Sequence, residues 1–235
     1  MQDLLDTAIA AHGGLDRWNA IRSISVEASI TGAFWSFKDQ TDALRDIRFE
    51  VDTTRERLAV EFLNQDKRAV FEPDRVELQH SDGATIDGRD DPERSFDGHR
   101  FETPWDDLHL AYFVGEALWT YMNVPFLCAG SSFATEEIAS IEVDGETWRR
   151  LKVTFPESIK THTREQTFFF GPDGLLRRHD FVIELLGGVP SQLYAADCRD
   201  VDGIIIPTTR RAWRGDDHIP EALMIAIDMG EITLR

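Results

Sequence analysis

Apolar residues recur at the spacing of a helix in one long segment near the middle of the chain. They are Leu110, Phe113, Val114, Ala117, Leu118 and Tyr121. Intervals of three and four residues place such side chains on one face of a helix. Thr103 is the predicted N-cap, Pro104 suits the first helical position, and Asp106 completes a capping box. Because Pro125 lacks an N–H group and opposes continuation, we predict a helix over residues 104–124.

The apolar stripe of this predicted helix is wide. Leu108, Ala111, Trp119 and Met122 extend it well beyond the face that a helix needs for packing on one flat surface. A helix that is apolar around most of its circumference belongs in the interior of a protein. We therefore predict that the rest of the chain encloses this helix.

Most of the remaining chain alternates apolar and polar residues with a period of two. In the first such stretch Ile24, Val26, Ala28 and Ile30 alternate with polar side chains, which is typical of a strand with one buried face. Comparable stretches occur at residues 47–51, 58–62, 70–71, 76–78, 138–143, 147–155, 160–170, 175–186, 195–201, 204–213 and 223–234. Because turn-forming residues separate these stretches, they predict antiparallel strands in succession.

Two further segments complete the predicted architecture. Residues 3–12 have the spacing of a short amphipathic helix, which Gly13 and Gly14 end. Residues 81–97 are rich in Asp, Gly and Arg and are predicted to form an exposed loop. The fold class is therefore mainly β (α+β): a curved antiparallel sheet that forms a half-open or closed barrel around a central helix, with a short N-terminal helix.

The length and composition of the chain favour one domain. A chain of 235 residues lies within the range of single all-β domains, and 42% hydrophobic residues with 10% aromatic residues can fill a large core. The sequence contains no internal repeat and no linker-like tract. We predict a single domain over residues 1–235.

Charge and cysteine content narrow the partners and the compartment. A formal net charge of −18 argues against nucleic acid, because Lys and Arg side chains dominate binding to phosphate backbones. Cys128 and Cys198 lack CxxC spacing and are predicted to be two buried free thiols in a reducing compartment. With neither a leader pattern nor an apolar run of about 18 residues, we predict a soluble, cytoplasmic protein without a membrane span.

The second half of the chain resembles the LolA/LolB-type lipoprotein carriers. The resemblance rests on the segments FFFGPDGLLRRHDF and LYAADCRDVDGIIIPTTRRAW and covers residues 166–213, with further support from the N-terminal helix and the HGGLDRW segment. It implies a curved antiparallel sheet in an incomplete barrel, with helices over an apolar cavity. The chain is also similar to uncharacterised soluble bacterial proteins of similar length that carry a helix like TPWDDLHLAYF.

Motifs for metals and nucleotide cofactors are absent from the sequence. No two of the seven histidines lie three or four residues apart, which excludes a helical HExxH site. The sequence also lacks GxSxG, P-loop and GxGxxG patterns. We therefore predict no metal ligands and no cofactor.

The start of the predicted central helix is the first candidate for acid–base chemistry. Asp106 and Asp107 lie beside His109, and Tyr112 and Tyr121 follow on the same helix. In one interpretation the carboxylates only cap the helix and favour its dipole. In the other, a carboxylate orients His109 as a general base while the tyrosine hydroxyls bind the substrate.

The predicted hairpin around the Gly-Pro-Asp-Gly turn is the second candidate. Its strands carry His162, Arg164 and His179 between apolar ends. A four-residue loop places His179 opposite Gln166 and gathers the three side chains on one side, whereas a slip of one residue places His179 opposite Thr167 and divides them. That side is either a polar outer face or, if it faces the interior, a cationic site for an anionic ligand group.

Two functions from different classes follow from these patterns. The leading prediction is a protein that binds a hydrophobic small molecule or acyl chain in an apolar barrel cavity. The alternative is a cofactor-independent enzyme of isomerase, cyclase or lyase type that uses histidine acid–base chemistry on a hydrophobic substrate. The predicted catalytic residues are His109, His162, His179, Arg164 and Asp107. The predicted ligand-binding residues are Tyr112, Phe113, Tyr121, Trp119 and Phe168.

Overall fold

One long helix and several short ones accompany a large sheet. The computed structural model describes residues 3–213 and 222–235. The α-helices in this part of the chain are α1 (Leu4–Ala11), α2 (Leu15–Trp18), α3 (Phe34–Phe37) and α4 (Asp107–Asn123). Short 3-10 helices lie at Pro92–Phe96, Phe126–Ala129 and Glu184–Leu186. With 17 residues, α4 is more than twice as long as α1, which has 8.

The strands of the described chain form one antiparallel sheet. They are β1 (Ser23–Thr31), β2 (Ile47–Asp52), β3 (Leu58–Phe62), β4 (Lys67–Glu72), β5 (Arg75–Gln79), β6 (Thr85–Asp90), β7 (Ala134–Val143), β8 (Glu146–Thr154), β9 (Glu165–Phe170), β10 (Leu176–Ile183), β11 (Val189–Val201), β12 (Ile204–Trp213) and β13 (Leu223–Leu234). Their order across the sheet is β6-β5-β4-β3-β2-β1-β13-β12-β11-β10-β9-β8-β7. The two halves of the chain meet where β1 pairs with β13.

The sheet curves without closing. Strands β6 and β7 are its two edges and do not pair with each other. The predicted fold class is therefore confirmed in its half-open form, with α4 as the central helix and α1 as the short N-terminal helix.

Residues 81–97, which we predicted to be an exposed loop, contain β6 and the 3-10 helix Pro92–Phe96. The side chains of β6 are almost all exposed, so the strand has no apolar alternation for a sequence pattern to reveal. Backbone pairing with β5 forms this strand instead. The prediction was wrong because an edge strand can exist without burying a face.

The start of α4 also differs from the prediction. Asp106 is the N-cap, and its carboxylate accepts a hydrogen bond from the backbone N–H of His109 at 2.8 Å. The Thr103 hydroxyl instead accepts a hydrogen bond from the backbone N–H of Arg100, in the preceding turn. The capping box therefore starts three residues later than predicted, and the helix ends at Asn123, just before Pro125.

Helix α4 is buried around its circumference. Every residue from Leu110 to Asn123 is buried. The helix packs on β2, β3, β4 and β5 and on the 3-10 helix at Pro92–Phe96. Its other side faces Ile30, Leu193 and Ile227, which belong to β1, β11 and β13. The wide apolar stripe thus reflects packing against both halves of the sheet.

A glycine in the middle of α4 allows the close approach to β4. A Cβ atom at Gly115 would overlap the ring of Phe71. Glycine costs about 1 kcal/mol relative to alanine inside a helix, so this position sacrifices helix propensity for packing. The ring of Phe71 fills the space that a side chain at Gly115 would occupy.

A second, smaller apolar cluster lies beneath α1. Leu4 and Ala8 of this helix pack with Phe155, Phe168 and Phe170. The Asp3 carboxylate caps the helix by accepting a hydrogen bond from the backbone N–H of Leu5. This cluster lies over β8 and β9, which contribute Leu151, Val153, Phe168 and Phe170 to it.

The two cysteines differ in environment. Cys128 is buried, as predicted, but Cys198 is exposed, which contradicts the prediction of two buried thiols. Cys198 lies on the part of β11 beyond Ala195, where side chains on both faces are exposed.

Within the described residues, no helix has the length and apolar character needed to cross a membrane.

Replacement of Leu110 by alanine should lower the free energy of unfolding by about 2 to 5 kcal/mol, because its side chain is fully buried against the sheet. The matched control is Leu63→Ala, since Leu63 is 41% exposed and should lose much less. Denaturant unfolding measures both. Equal losses in the two variants would show that α4 is peripheral.

Candidate functional site

Polar side chains cluster inside the protein, beside the second half of α4. Their shared property is nearly complete burial between apolar walls. They are Glu116, Thr120, His162, Gln166, His179 and Arg210. Buried polar groups in such surroundings cost free energy unless they bond to one another or to a ligand.

Three of the side chains in this region form a continuous hydrogen-bonded chain, which we call the polar bridge: Glu116, His162 and Tyr121. The Nδ1 atom of His162 is 2.8 Å from the Glu116 carboxylate, and its Nε2 atom is 3.0 Å from the Tyr121 hydroxyl. In a neutral imidazole, Nδ1–H donates to Glu116 and Nε2 accepts from Tyr121. Carboxylate, imidazole and hydroxyl then stand in series, an order that can transfer a proton.

Burial controls the ionisation of both ends of the polar bridge. It raises the pKa of Glu116, although the hydrogen bond from His162 acts in the opposite direction. Burial likewise raises the pKa of Tyr121, so its phenol remains protonated near neutral pH. The bridge is therefore suited to transferring a proton and not to storing a free negative charge.

The segment that carries His162 connects β8 to β9 and is held by a buried carboxyl group. Both oxygens of Glu56 accept from the backbone N–H of Lys160, at 3.0 and 3.1 Å. Burial raises the pKa of Glu56 to about 8. The Lys160 ammonium group pairs with Glu93 at 2.5 Å, and both residues line a cleft that Glu116 and His162 also border.

Two cavities of different character adjoin the polar bridge. The polar cleft, of about 170 Å³, is lined by Glu116 and His162 together with Lys160 and Arg164. The apolar cavity, of about 30 Å³, lies between α4 and the strands β1, β11 and β13. Tyr121 lines this second cavity. The bridge therefore connects a charged opening to an apolar interior.

The hairpin of β9 and β10 adopts neither of the two predicted registers. His179 lies opposite Phe168, because a bulge between Leu176 and Arg178 adds a residue to β10. The Nε2 atom of His179 hydrogen-bonds to the Gln166 side-chain oxygen. Sequence alternation cannot reveal such a bulge, which shifts the pairing beyond it by one residue.

The three polar residues that one of the two predicted registers gathers on one side of this hairpin are separated in the structure. His162 and His179 face the interior, and both contact Tyr121. The distances from their ring centroids to the centroid of the Tyr121 ring are 6.1 and 5.8 Å. Arg164 is exposed and pairs with Glu157 at 2.9 Å. It lines the outer part of the polar cleft, so only the two histidines belong to the buried cluster.

His109 and Asp107 lie at the start of α4, away from both cavities. The His109 ring packs edge-on against Phe96 at 4.8 Å, and its Nε2 atom is 3.3 Å from the Ser95 carbonyl. Asp107 pairs with Lys67 at 3.0 Å. Through these contacts both side chains stabilise the start of α4. A catalytic role for His109 and Asp107 stays a prediction.

The predicted ligand-binding residues occupy several places. Phe113 and Tyr121 line the apolar cavity, and Tyr112 lines the polar cleft. Phe168 stacks on the His179 ring with a centroid distance of 4.2 Å. Two of the five therefore border the apolar space directly.

Trp119 is the remaining predicted ligand-binding residue. Its indole Nε1–H donates to the carbonyl oxygens of Asp52 and Arg55, each at 2.9 Å. It borders neither cavity in the described chain. The side chain anchors α4 to the turn after β2.

Sequence reasoning missed Glu116 and Arg210. Each carried a usable signal. Glu116 is a charged residue inside the wide apolar stripe of α4, and Arg210 occupies a position where strand alternation directs side chains inward.

Within residues 3–213 and 222–235, no group of three or more His, Cys, Asp and Glu side chains could hold a metal ion.

Comparison with known proteins identifies the fold. No model of a known protein family matches the chain, and neither does any curated protein. A DUF1329 family protein from Desulfovibrio piger is 15% identical, with a TM-score of 0.55 over 98% of this chain and 91% of that one. A LolA superfamily protein from Nitrosomonas europaea is 10% identical, with a TM-score of 0.54 over 99% and 92%.

A third solved structure agrees with these two. It is a Vibrio parahaemolyticus domain named for outer membrane lipoprotein sorting, 9% identical, with a TM-score of 0.56 over 99% of this chain and 91% of that one. The chain has a LolA-like fold. The resemblance inferred for residues 166–213 is confirmed and extends over nearly the whole chain. Identities this low establish the fold alone.

The prediction of a cytoplasmic location is contradicted by these similarities. The Vibrio domain, which shares the fold, is named for outer membrane lipoprotein sorting. The prediction was wrong because it relied on a missing leader pattern and on two free thiols, Cys128 and Cys198, and neither feature identifies a compartment. A buried free thiol is protected from oxidants in any compartment, so it does not identify one.

The stability of the protein should fall as the pH drops below 6.5. Burial, and then the charge of Arg210, hold the pKa of His179 well below its usual value of 6.5. The unfolded chain then binds the proton more readily, so the contribution of neutral His179 is present above pH 6.5 and is lost below it. Unfolding free energy measured from pH 6.5 to about 5 should therefore fall less steeply in His179→Gln than in the wild type.

The exposed His80 provides the control for that measurement. His80→Gln also removes one histidine, but from the surface, and should keep the wild-type slope. Identical slopes for His179→Gln and the wild type would show that His179 does not limit stability in acid.

Proposed function

We propose that the protein binds a hydrophobic small molecule, of the acyl-chain type, between α4 and the strands β1, β11 and β13. The observation that carries this proposal is the apolar cavity at that place. Phe113, Ala117 and Tyr121 of α4 form one wall of the cavity, and Ile30 and Ile227 are on the other. Such a lining, with one hydroxyl group beside it, suits an apolar ligand with a polar end.

The way in which α4 packs explains how this cavity can enlarge. Its volume of about 30 Å³ is far below the roughly 300 Å³ or more of a typical small-molecule pocket, so an acyl chain needs more room. The close contacts of α4 are with β2 to β5, including the Gly115 approach to Phe71. The cavity lies on the other side of the helix. Separation of α4 from β11 and β13 would therefore open the site while the anchored side holds.

The fold supports the same class of ligand. One of the similar structures is named for lipoprotein sorting, and lipoproteins carry acyl chains. In this proposal residues 1–235 act as one domain. Phe113 and Tyr121 contact the ligand, whereas the other predicted residues, Tyr112, Trp119 and Phe168, do not border this cavity.

Apolar probes should bind to the wild type, with a negative heat-capacity change, because binding buries apolar surface. An environment-sensitive dye and dodecanoate, followed by fluorescence and calorimetry, provide the measurement, and a chelator should leave the affinity unchanged. Ala117→Met fills the cavity and should weaken binding by about tenfold or more, equivalent to about 1.4 kcal/mol.

Ala111→Met is the matched control for this experiment. Ala111 is buried on the same helix but does not line the cavity, so the same added side chain should leave the affinity unchanged. Thermal unfolding of both variants checks that they remain folded. A wild type that binds no apolar probe, or equal losses in the two variants, would contradict the proposed site.

The polar bridge favours a second candidate, a cofactor-independent enzyme that acts on a hydrophobic substrate. His162 contacts Glu116 and Tyr121 in series, and it borders the polar cleft. Isomerases, cyclases and lyases that work by proton abstraction use such a base beside the substrate. In this candidate His162 is the base, Glu116 orients it, and His179, Arg164, His109 and Asp107 are secondary.

Analysis of the bound probe separates the two candidates. A binding protein should return dodecanoate or an unsaturated analogue unchanged after long incubation, as judged by mass spectrometry and chromatography. If instead a product forms, His162→Gln should slow its formation about 100-fold or more, while His80→Gln, at the exposed surface, leaves it unaffected. Unchanged probes for all ligand classes tested would remove the catalytic candidate.

A further inference from the structure

The guanidinium group of Arg210 lies in the protein interior. Arg210 is on β12, where the residues on alternate positions from Ile204 to Ala212 are buried, and only 1% of its surface is exposed. Its Cζ atom is 5.1 Å from the centre of the Tyr121 ring. A cation is therefore placed over the ring of Tyr121, the last residue of the polar bridge.

Hydrogen bonds within the described chain occupy only part of this group. Nη2 donates to the Tyr121 carbonyl oxygen at 3.0 Å. Nε and Nη1 are buried and have no hydrogen-bond partner among residues 3–213 and 222–235. No carboxylate in this part of the chain forms an ion pair with Arg210, and only Tyr121 and Cys198 act on it as potential anions.

The neighbouring groups do not neutralise the guanidinium. Burial raises the pKa of Tyr121, and the partial desolvation of the otherwise exposed Cys198 raises the pKa of that thiol, so both remain protonated and uncharged near neutral pH. Burial lowers the pKa of Arg210 itself only to about 10, so it keeps its proton. Burial also lowers the pKa of the nearby His179 and His12, which avoids further positive charge.

The end of α4 compensates for part of the charge. Tyr121 is in the last turn of this helix, where the carbonyl groups carry the negative end of the helix dipole. That end is equivalent to about half an elementary charge. A guanidinium that is desolvated and only half compensated still favours an anion strongly, because a buried charge is stabilised chiefly by a paired opposite charge.

Arg210 also stands next to the space proposed for the ligand. Its cross-strand partner on β13 is Ile227, and Ile227 and the Tyr121 ring both line the apolar cavity. A molecule whose apolar chain enlarges this cavity would bring one end to the guanidinium. The rigid planar donors of arginine match the two oxygens of a carboxylate.

We propose that Arg210 binds the carboxylate of an amphiphilic ligand, so that the protein prefers long-chain carboxylic acids to neutral molecules of the same length. This inference rests on the proposed function and names its ligand class. The acyl chain lies between α4 and the strands β11 and β13, and its ionised head pairs with the guanidinium. The positive group thereby obtains a partner that the described chain does not supply.

The test compares dodecanoate with dodecanol at neutral pH by dye displacement and calorimetry. The wild type should bind the acid about tenfold or more tightly than the alcohol, since a hydrogen bond to a charged group contributes at least that much. Arg210→Gln should reduce this preference to near unity by weakening the acid alone. Arg210→Lys keeps the charge and should keep part of the preference.

Arg211→Gln is the matched control, because Arg211 is the next residue on β12 but pairs with Asp228 at the surface. It should behave as the wild type does. If the wild type binds the two compounds equally, or Arg210→Gln retains the acid preference, the inference about Arg210 is overturned. If the wild type binds neither compound, the proposed function itself fails.

A second measurement uses the thermal unfolding midpoint and does not depend on a binding affinity. Arg210→Met removes an unpaired buried charge and should raise the unfolding midpoint of the ligand-free protein. Dodecanoate should then raise the midpoint of the wild type more than that of the variant. A ligand-free Arg210→Met protein that is less stable than the wild type, or that fails to fold, would show that Arg210 is only a structural cation at the end of α4.

Discussion

The burial of α4 on all sides is the constraint on which the rest of this structure depends. A helix that is apolar around its circumference needs apolar neighbours in every direction, and one flat layer cannot supply them. A single sheet therefore curves around the helix, from β2–β5 on one side to β1, β11 and β13 on the other. On the first side, the contact of Gly115 with Phe71 brings α4 close to β4. On the second side, the apolar cavity remains between α4 and the strands.

The same burial decides how polar groups on α4 behave. Glu116 cannot reach water, so it meets His162, and His162 in turn meets Tyr121. Buried polar groups that bond to each other avoid most of the cost of desolvation. Arg210 differs, because its bond to Tyr121 leaves two of its nitrogen atoms without a hydrogen-bond partner in the described chain, and no carboxylate there pairs with its charge. This contrast separates a satisfied internal network from a group prepared for a ligand.

The two cavities beside the polar bridge have chemically different linings. The polar cleft presents Glu93, Lys160 and Arg164 to solvent, whereas the apolar cavity is lined by aliphatic and aromatic side chains. A hydrophobic ligand with one polar end matches this arrangement. Its apolar chain fits the apolar cavity, and its polar end can meet the buried polar groups. A LolA-like sheet that does not close suits this purpose, because no ring of paired strands prevents α4 from moving.

The sequence by itself determined that the protein has a long buried helix within an antiparallel sheet, because periods of 3.6 and 2 report which faces are buried. It also placed His162 and His179 among the candidate residues. Only the tertiary structure decided that these two meet Tyr121 while Arg164 faces solvent, that β10 contains a bulge, and that Asp106 caps α4. Periodicity reports burial but not partners, since the residues that meet at the bridge are separated by some 40 positions along the chain.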